Sequence, residues 1–312
     1  MSSPNKPVWT SSNSGTNSNA GGTSGTAARI LTAAVLIPAV AAAVWWGSTA
    51  LVAALGGLVA VLALREFFSL GARLNLQAYR LWTSLCALGI FFQQWSVSGA
   101  QSWQLAGNLR LTRSPSAPEF PLELVFFIFL LGCVATIFAS RRPLADAIGD
   151  IGIGSAGLLF IALPLSAVVR IHALDRIGPK LLLFTLLLVW VGDTLAYFVG
   201  RSFGRMPMAP QLSPKKTWEG AAANLLGSAI VGVVLFSWLD IDAFQAVFMA
   251  CLANVAGQAG DLLKSAYKRG AGVKDSGTLL PGHGGILDRI DALILAAPVV
   301  WYYFRFLLAS RL

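Results

Sequence analysis

From Ile30 onward the chain alternates between long apolar runs and short polar breaks. Nine runs approach the roughly 20 residues that a helix needs to cross a bilayer. They fall at 29–46, 48–66, 80–96, 121–139, 151–171, 179–200, 219–239, 241–262 and 288–308. This pattern predicts an all-α polytopic membrane protein of about nine transmembrane helices. The first two runs are separated only by "WWGSTA", a very short hairpin. The eighth is interrupted by "ANVAGQAGD", which predicts that it lines something polar. Residues 11–26, "SSNSGTNSNAGGTSGT", hold no charge and no large apolar side chain, so they cannot offset the entropy of ordering. A disordered tail over 1–28 is expected, then N-terminal helices over 29–171 and a C-terminal region over 172–312 that carries the polar chemistry. The extreme N-terminus lacks the short apolar core of a cleavable signal, so the first run reads as an uncleaved anchor.

Composition sharpens this. The chain is 56% hydrophobic and 12% charged, against about 25% charged in soluble domains. A net charge of +9 is read as cytoplasmic loops rich in Lys and Arg, not as a nucleic-acid surface. With the runs threaded alternately, 16 of the 23 basic residues fall on the side of the N-terminus and 7 on the other. The N-terminus is therefore expected in the cytoplasm and the C-terminus outside. The breaks after the sixth and eighth runs then face the cytoplasm. Cys86, Cys133 and Cys251 lie inside apolar runs without metal or disulfide spacing.

Those two breaks hold the unusual residues. The first, "GRSFGRMPMAPQLSPKKTWEG", brings Ser213, Lys215, Lys216, Thr217 and Glu219 to the start of the seventh run. Paired lysines and a hydroxyl near a helix N-terminus suit an anion; the same residues also suit a positive-inside anchor. The second opens with "GDLLKSAYKR". Asp261, Lys264, Ser265 and Lys268 stand at offsets that share one helix face. It continues through "KDSGTLLPGHGGILDRID", where Asp288 and Asp291 are spaced i, i+3. Two carboxylates so close disfavour one another unless a cation intervenes. Mg²⁺, held by one or two carboxylates and substrate phosphates, fits that need, with the lysines clamping a polyphosphate. The competing arrangement is an ion-pair network joining Asp288 and Asp291 to Lys268 or Arg269. His283 serves equally as a turn residue, a phosphate donor or a proton carrier. Asp193 is an ionisable residue inside the sixth run and is expected to face the bundle interior. Asn224 and Gln258 read as functional groups or as helix–helix hydrogen bonds. No Walker A or HExxH pattern is present in the chain.

Residues 265–291, "SAYKRGAGVKDSGTLLPGHGGILDRID", resemble the motif of phosphatidate cytidylyltransferases, or CDP-diacylglycerol synthases: S-x-x-K-R, four residues, K-D, then P-x-H-G-G-x-x-D-R-x-D. Tyr267 stands where that family more often has an aliphatic residue. "SPKKTWEG" and "GDTLAYFVGRSFG" are also similar, so the resemblance covers roughly residues 185 to 308. It implies transfer of CMP from CTP to phosphatidic acid, giving CDP-diacylglycerol and pyrophosphate, with Mg²⁺ and a possible second cation. It further implies Asp261 and Asp288 as metal ligands, with Asp291 supporting them or a second cation. Lys215, Lys216, Lys264, Lys268, Arg269 and Arg289 would share the phosphates, and His283 would hold or protonate a phosphate oxygen. Lys274 and Asp275 belong to the catalytic motif; Asp193, Ser213, Thr217, Glu219 and Ser265 are assigned to substrate binding. The implied setting is a bacterial inner membrane with the site at the cytoplasmic face and membrane lipids around it, a homodimer being one assembly left open. The other classes weighed are an ion-coupled or lipid transporter using Asp193, Asp261 and Asp288, and a membrane scaffold.

Overall fold

The structure, a computed structural model, describes residues 22–99, 121–139, 143–277 and 284–308. Its helices follow the apolar runs: α1 (Gly22–Trp46), α2 (Thr49–Ala72), α3 (Arg80–Gly99), α4 (Leu122–Ala139), α5 (Leu144–His172), α6 (Gly178–Phe203), α7 (Trp218–Leu235), α8 (Ala243–Gly270) and α9 (Leu287–Leu308). Among the described residues seven of these are long and apolar enough to cross a membrane; α1 and α3 fall outside that count. In α3 the polar side chains Thr83, Ser84, Gln93, Gln94, Ser96 and Ser98 dilute the apolar run.

Several boundaries differ from the sequence pattern. Helix α1 already begins at Gly22, so 22–28, expected within the tail, are helical; cooperative propagation from the Ala-rich run behind them accounts for it. The rest of the expected tail, 1–21, lies outside the described residues. The α1–α2 hairpin turns at Gly47, and the Ser48 hydroxyl accepts from the Leu51 N–H at 3.3 Å to start α2. Helix α2 runs past residue 66 and keeps Glu66 inside it, buried. Helix α8 extends to Gly270, so the basic "KSAYKR" stretch is a continuation of the span and not a loop. Helix α5 is locally overwound and underwound: a 3-10 turn opens it, a π turn occupies Leu158–Ala162, and Pro164 precedes a bend at Ser166. Proline removes a backbone donor there, and the π turn absorbs the mismatch.

Two apolar cores hold the bundle. One packs α6, α7, α8 and α9 with α1 and α2 around Leu181, Leu188, Ala250 and Ala297. The other packs α2, α3, α4 and α5 around Phe67, Phe68, Ile90, Phe129 and Leu158. Helix α9 belongs to both, through Ala292, Ala296 and Ala297 on one side and Leu287 and Ile294 on the other. Tyr267 of α8 inserts between Phe67 and Phe160, with ring centroids 5.2 Å from each. The residue that departs from the family pattern is thus an aromatic wedge between the two halves.

Candidate active site

The polar residues gather where the C-terminal half of α6, the first turns of α7 and α9 and the last turns of α8 meet at one end of the bundle. Between α6 and α7 a short antiparallel hairpin, β1 (Pro207–Ala209) and β2 (Ser213–Thr217), covers this end. Its stem is fixed by Glu219, whose carboxylate accepts from the Met206 N–H at 3.2 Å. Thr217 closes it and caps α7, its hydroxyl accepting from Gly220 N–H at 3.2 Å. Arg269 reaches from the end of α8 and donates to the Leu212 carbonyl in the hairpin turn at 3.0 Å.

Close helix approach sets the rest. A Cβ on Gly260 would lie 2.5 Å from the Asp291 carbonyl oxygen, and one on Gly227 3.2 Å from Gly192 Cα. Small residues at these crossings let α8 meet α9, and α6 meet α7, almost backbone to backbone. Gly260→Ala is expected to pry α8 from α9 and destabilise the protein by about 1–3 kcal/mol. The check is thermal unfolding in detergent; an unchanged midpoint would show that the contact is not tight.

These crossings enclose a cavity of about 370 Å³ whose lining includes Asp193, Lys215, Lys216, Asp261, Lys264, Asp288 and Asp291. That is near the lower end of the volumes usual for small-molecule sites. Lys264 is its centre, with Nζ 3.0 Å from Asp261 Oδ1, 3.2 Å from Asp288 Oδ1, and ion-paired to Asp291 Oδ2. Lys216 pairs with Asp261 Oδ2, and Lys268 with Asp288 Oδ1 at 2.6 Å. Charges taken out of water are costly unless alternated and hydrogen-bonded, and here each acid meets at least one ammonium or amide. Asp193 receives the Asn224 side-chain amide at 3.1 Å. Asn224 is held in turn by Asn254 at 2.5 Å, and Gln258 donates to Asn254 Oδ1 at 2.7 Å. The polar residues of the "ANVAGQAGD" stretch therefore line the cavity and bond across helices at once. Asp261 has 29% of its side chain exposed against 6% for Lys264, so Asp261 is the more accessible of this pair to an entering solute.

The structure brings together Asp193, Lys215, Lys216, Thr217, Asp261, Lys264, Asp288 and Asp291, with Lys268 beside Asp288. Ser213 pairs with Ala209 in the hairpin and, like Glu219 and Arg269, does not line the cavity. Lys274 and Asp275 are exposed in the stretch after α8, Ser265 is buried on α8, and Arg289 is exposed on α9. None of these four lines the cavity either. His283 lies outside the described residues. The ion-pair network weighed against a metal site is present, but with Lys264 at its hub and Arg269 elsewhere. Among the described residues no group of three or more His, Cys, Asp or Glu side chains is set to hold a metal ion.

Sequence reasoning missed Ser276, Asn254 and Glu66. Ser276 N–H and hydroxyl lie 3.3 and 2.9 Å from Asp288 Oδ2. Glu66 receives the Ile286 and Leu287 N–H groups at 2.9 Å each. Its only signal was an acid inside "VLALREFFSL", at the last residue of the second apolar run.

Fold and site together define a polytopic membrane protein with a lysine- and aspartate-lined cavity at one end of its helix bundle. The chain belongs to the cytidylyltransferase family, whose pattern matches residues 27–307, and this makes it a nucleotidyl-transferring enzyme. A protein of Bacillus subtilis named phosphatidate cytidylyltransferase is 33% identical over 183 residues, 58% of this chain and 67% of that relative. One of the same name from Thermotoga maritima is 35% identical over 196 residues, 61% of this chain and 72% of the relative. A third, from Haemophilus influenzae, is 40% identical over 139 residues, 42% of this chain and 48% of the relative. The chain thus spans two-thirds or more of two of these relatives and about half of the third.

Proposed function

We propose that the protein is a phosphatidate cytidylyltransferase that joins CTP and phosphatidic acid into CDP-diacylglycerol and pyrophosphate. The observation that carries this is the cavity itself: aspartates of α6, α8 and α9 interleaved with lysines of α8 and the hairpin at one end of a membrane bundle, in a chain whose relatives bear that name. In the reaction a phosphatidate oxygen attacks the α-phosphorus of CTP. The bond from that phosphorus to the bridging oxygen breaks, and the electron pair leaves with pyrophosphate. No enzyme nucleophile is needed, so the protein's task is to align the two phosphates and to balance their charge.

Four aspartates and three lysines line the cavity, which leaves no surplus of positive charge for a triphosphate. Asp261 and Asp288 present hard oxygen donors there, a set that fits Mg²⁺ completed by substrate phosphates, and these two residues would hold it. Bound Mg²⁺ would supply charge neutralisation and polarise the phosphoryl oxygens. Lys216 and Lys264, which pair with Asp261, would bind phosphate oxygens of the substrates. Lys215, already exposed at the cavity mouth, offers a further cation to the headgroup. Asp193, held by Asn224, would accept from a hydroxyl or amino group of the nucleotide.

The basic bias of the breaks after the sixth and eighth apolar runs supports a cytoplasmic site, where soluble CTP meets a lipid headgroup. The bacterial relatives support the inner membrane. The test is product formation by purified protein in detergent with labelled CTP and phosphatidate. Product is expected to vanish with EDTA and to return with Mg²⁺. A folded sample that yields none with any divalent metal would overturn the assignment.

A further inference from the structure

The N-terminal half of the chain reaches the site through one buried acid. Glu66, in α2, is 5% exposed. Its Oε1 accepts the Ile286 N–H and its Oε2 the Leu287 N–H, both at 2.9 Å. The Ser276 hydroxyl lies 3.0 Å from the same Oε2 and 2.9 Å from Asp288 Oδ2. These partners stand 210 to 221 residues away along the chain.

The physical need is plain. Helix α9 starts at Leu287, preceded by Ile286, whose side chain cannot accept a hydrogen bond, so its first N–H groups have no local cap. A carboxylate at that position satisfies two of them and complements the positive end of the helix. The surrounding backbone is shaped to it. A Cβ on Gly277 would lie 2.8 Å from Glu66 Oε1, and one on Gly285 would strike Ser276 Oγ and the Glu66 carboxylate. Next to Glu66, Phe67 packs edge-on against Tyr267 of α8. The same turn of α2 therefore grips both helices that carry the ion-paired residues.

We propose that Glu66 is a positioning residue of the active site. By capping α9 and holding Ser276, it fixes the rotation of the first turn of α9, and with it the reach of Asp288 and Asp291 to Lys264 and Lys268. It touches neither substrate in this account and acts through Asp288. The inference builds on the proposed reaction for its kinetic consequences, while its structural content stands apart from it.

Glu66→Gln keeps the shape but turns an amide donor toward a backbone donor. We expect kcat to fall roughly 10- to 100-fold, the loss that sub-ångström to ångström misplacement produces, with KM for CTP changed less than about 3-fold. Hydrogen exchange should quicken in 284–291 and stay unchanged in α4. Ser276→Ala cuts the link to Asp288 and leaves the helix cap in place. It should lower kcat less, and the double variant should be no worse than Glu66→Gln alone, because the two act along one chain of contacts. Wild-type kcat in Glu66→Gln, multiplying effects in the double variant, or exchange quickened evenly through the bundle would each overturn the proposal, the last reducing Glu66 to a general stabiliser. Wild-type protein that forms no product would defeat the proposed reaction instead, and the exchange pattern would still decide the role of Glu66.

Discussion

Lys264→Met is expected to cost more than any other single change in the site. Lys264 is the one ammonium within ion-pairing distance of Asp261, Asp288 and Asp291 together, among the described residues. Methionine keeps the apolar stem and its packing but withdraws the charge. Asp291, buried and paired there, is left facing two other acids. Stranding a buried charge destabilises by about 3–5 kcal/mol. If Lys264 also receives a phosphate during turnover, the rate drops by a further 100- to 1,000-fold or so, the usual loss for one transition-state donor. The two effects separate experimentally: thermal unfolding in detergent reads the first, and single-turnover formation of CDP-diacylglycerol well below the unfolding midpoint reads the second. A variant that is less stable yet turns over at the wild-type rate would make Lys264 a structural counter-ion and nothing more.

Asp261→Asn carries the second large effect, with the opposite division between stability and rate. Asp261 is the more solvated partner, at 29% side-chain exposure, and its two oxygens are shared between Lys216 and Lys264. Asparagine preserves volume and one acceptor, so the stability should change by less than about 1 kcal/mol, as for partly exposed ion pairs. The rate should fall by about 100- to 1,000-fold. The Mg²⁺ concentration for half-maximal rate should rise at least about 10- to 100-fold, since even a group that only supports a metal ligand is worth that much. A normal Mg²⁺ dependence in Asp261→Asn would remove Asp261 from the metal assignment and return the network to an ion-pair role. Asp288→Ala provides the companion measurement, and lipid-dependent pyrophosphate release that survived it would sink the metal site altogether.

Much of this protein is legible along the chain. An apolar run near the length of a bilayer has few conformations open to it, because unsatisfied backbone groups are costly in lipid. All nine runs are accordingly helical, although the length and composition of α1 and α3 leave seven candidate spans among the described residues. The polar islands are legible for the same reason: charge is expensive in that setting, so Asp193, Asp261 and the acids of "ILDRID" mark a site by their presence. Spacing put Asp261, Lys264 and Lys268 on one helix face, and the structure shows all three in one network. The hairpin was not legible. Its strands are three and five residues long, too short for any two-residue period to emerge between prolines.

The helices, their apolar faces, the polar islands and the family can all be read along the chain, because they follow from local periodicity and from residue types that lipid makes rare. Which charges meet depends on how the helices pack. Lys264 takes three aspartates because Gly260 lets α8 lie against α9, whereas Arg269, five residues on, braces the hairpin. Glu66 joins the site across more than 200 residues. No pattern along the chain encodes that distance. It is set by how closely helix backbones approach, and ion pairs form or fail over a few ångströms.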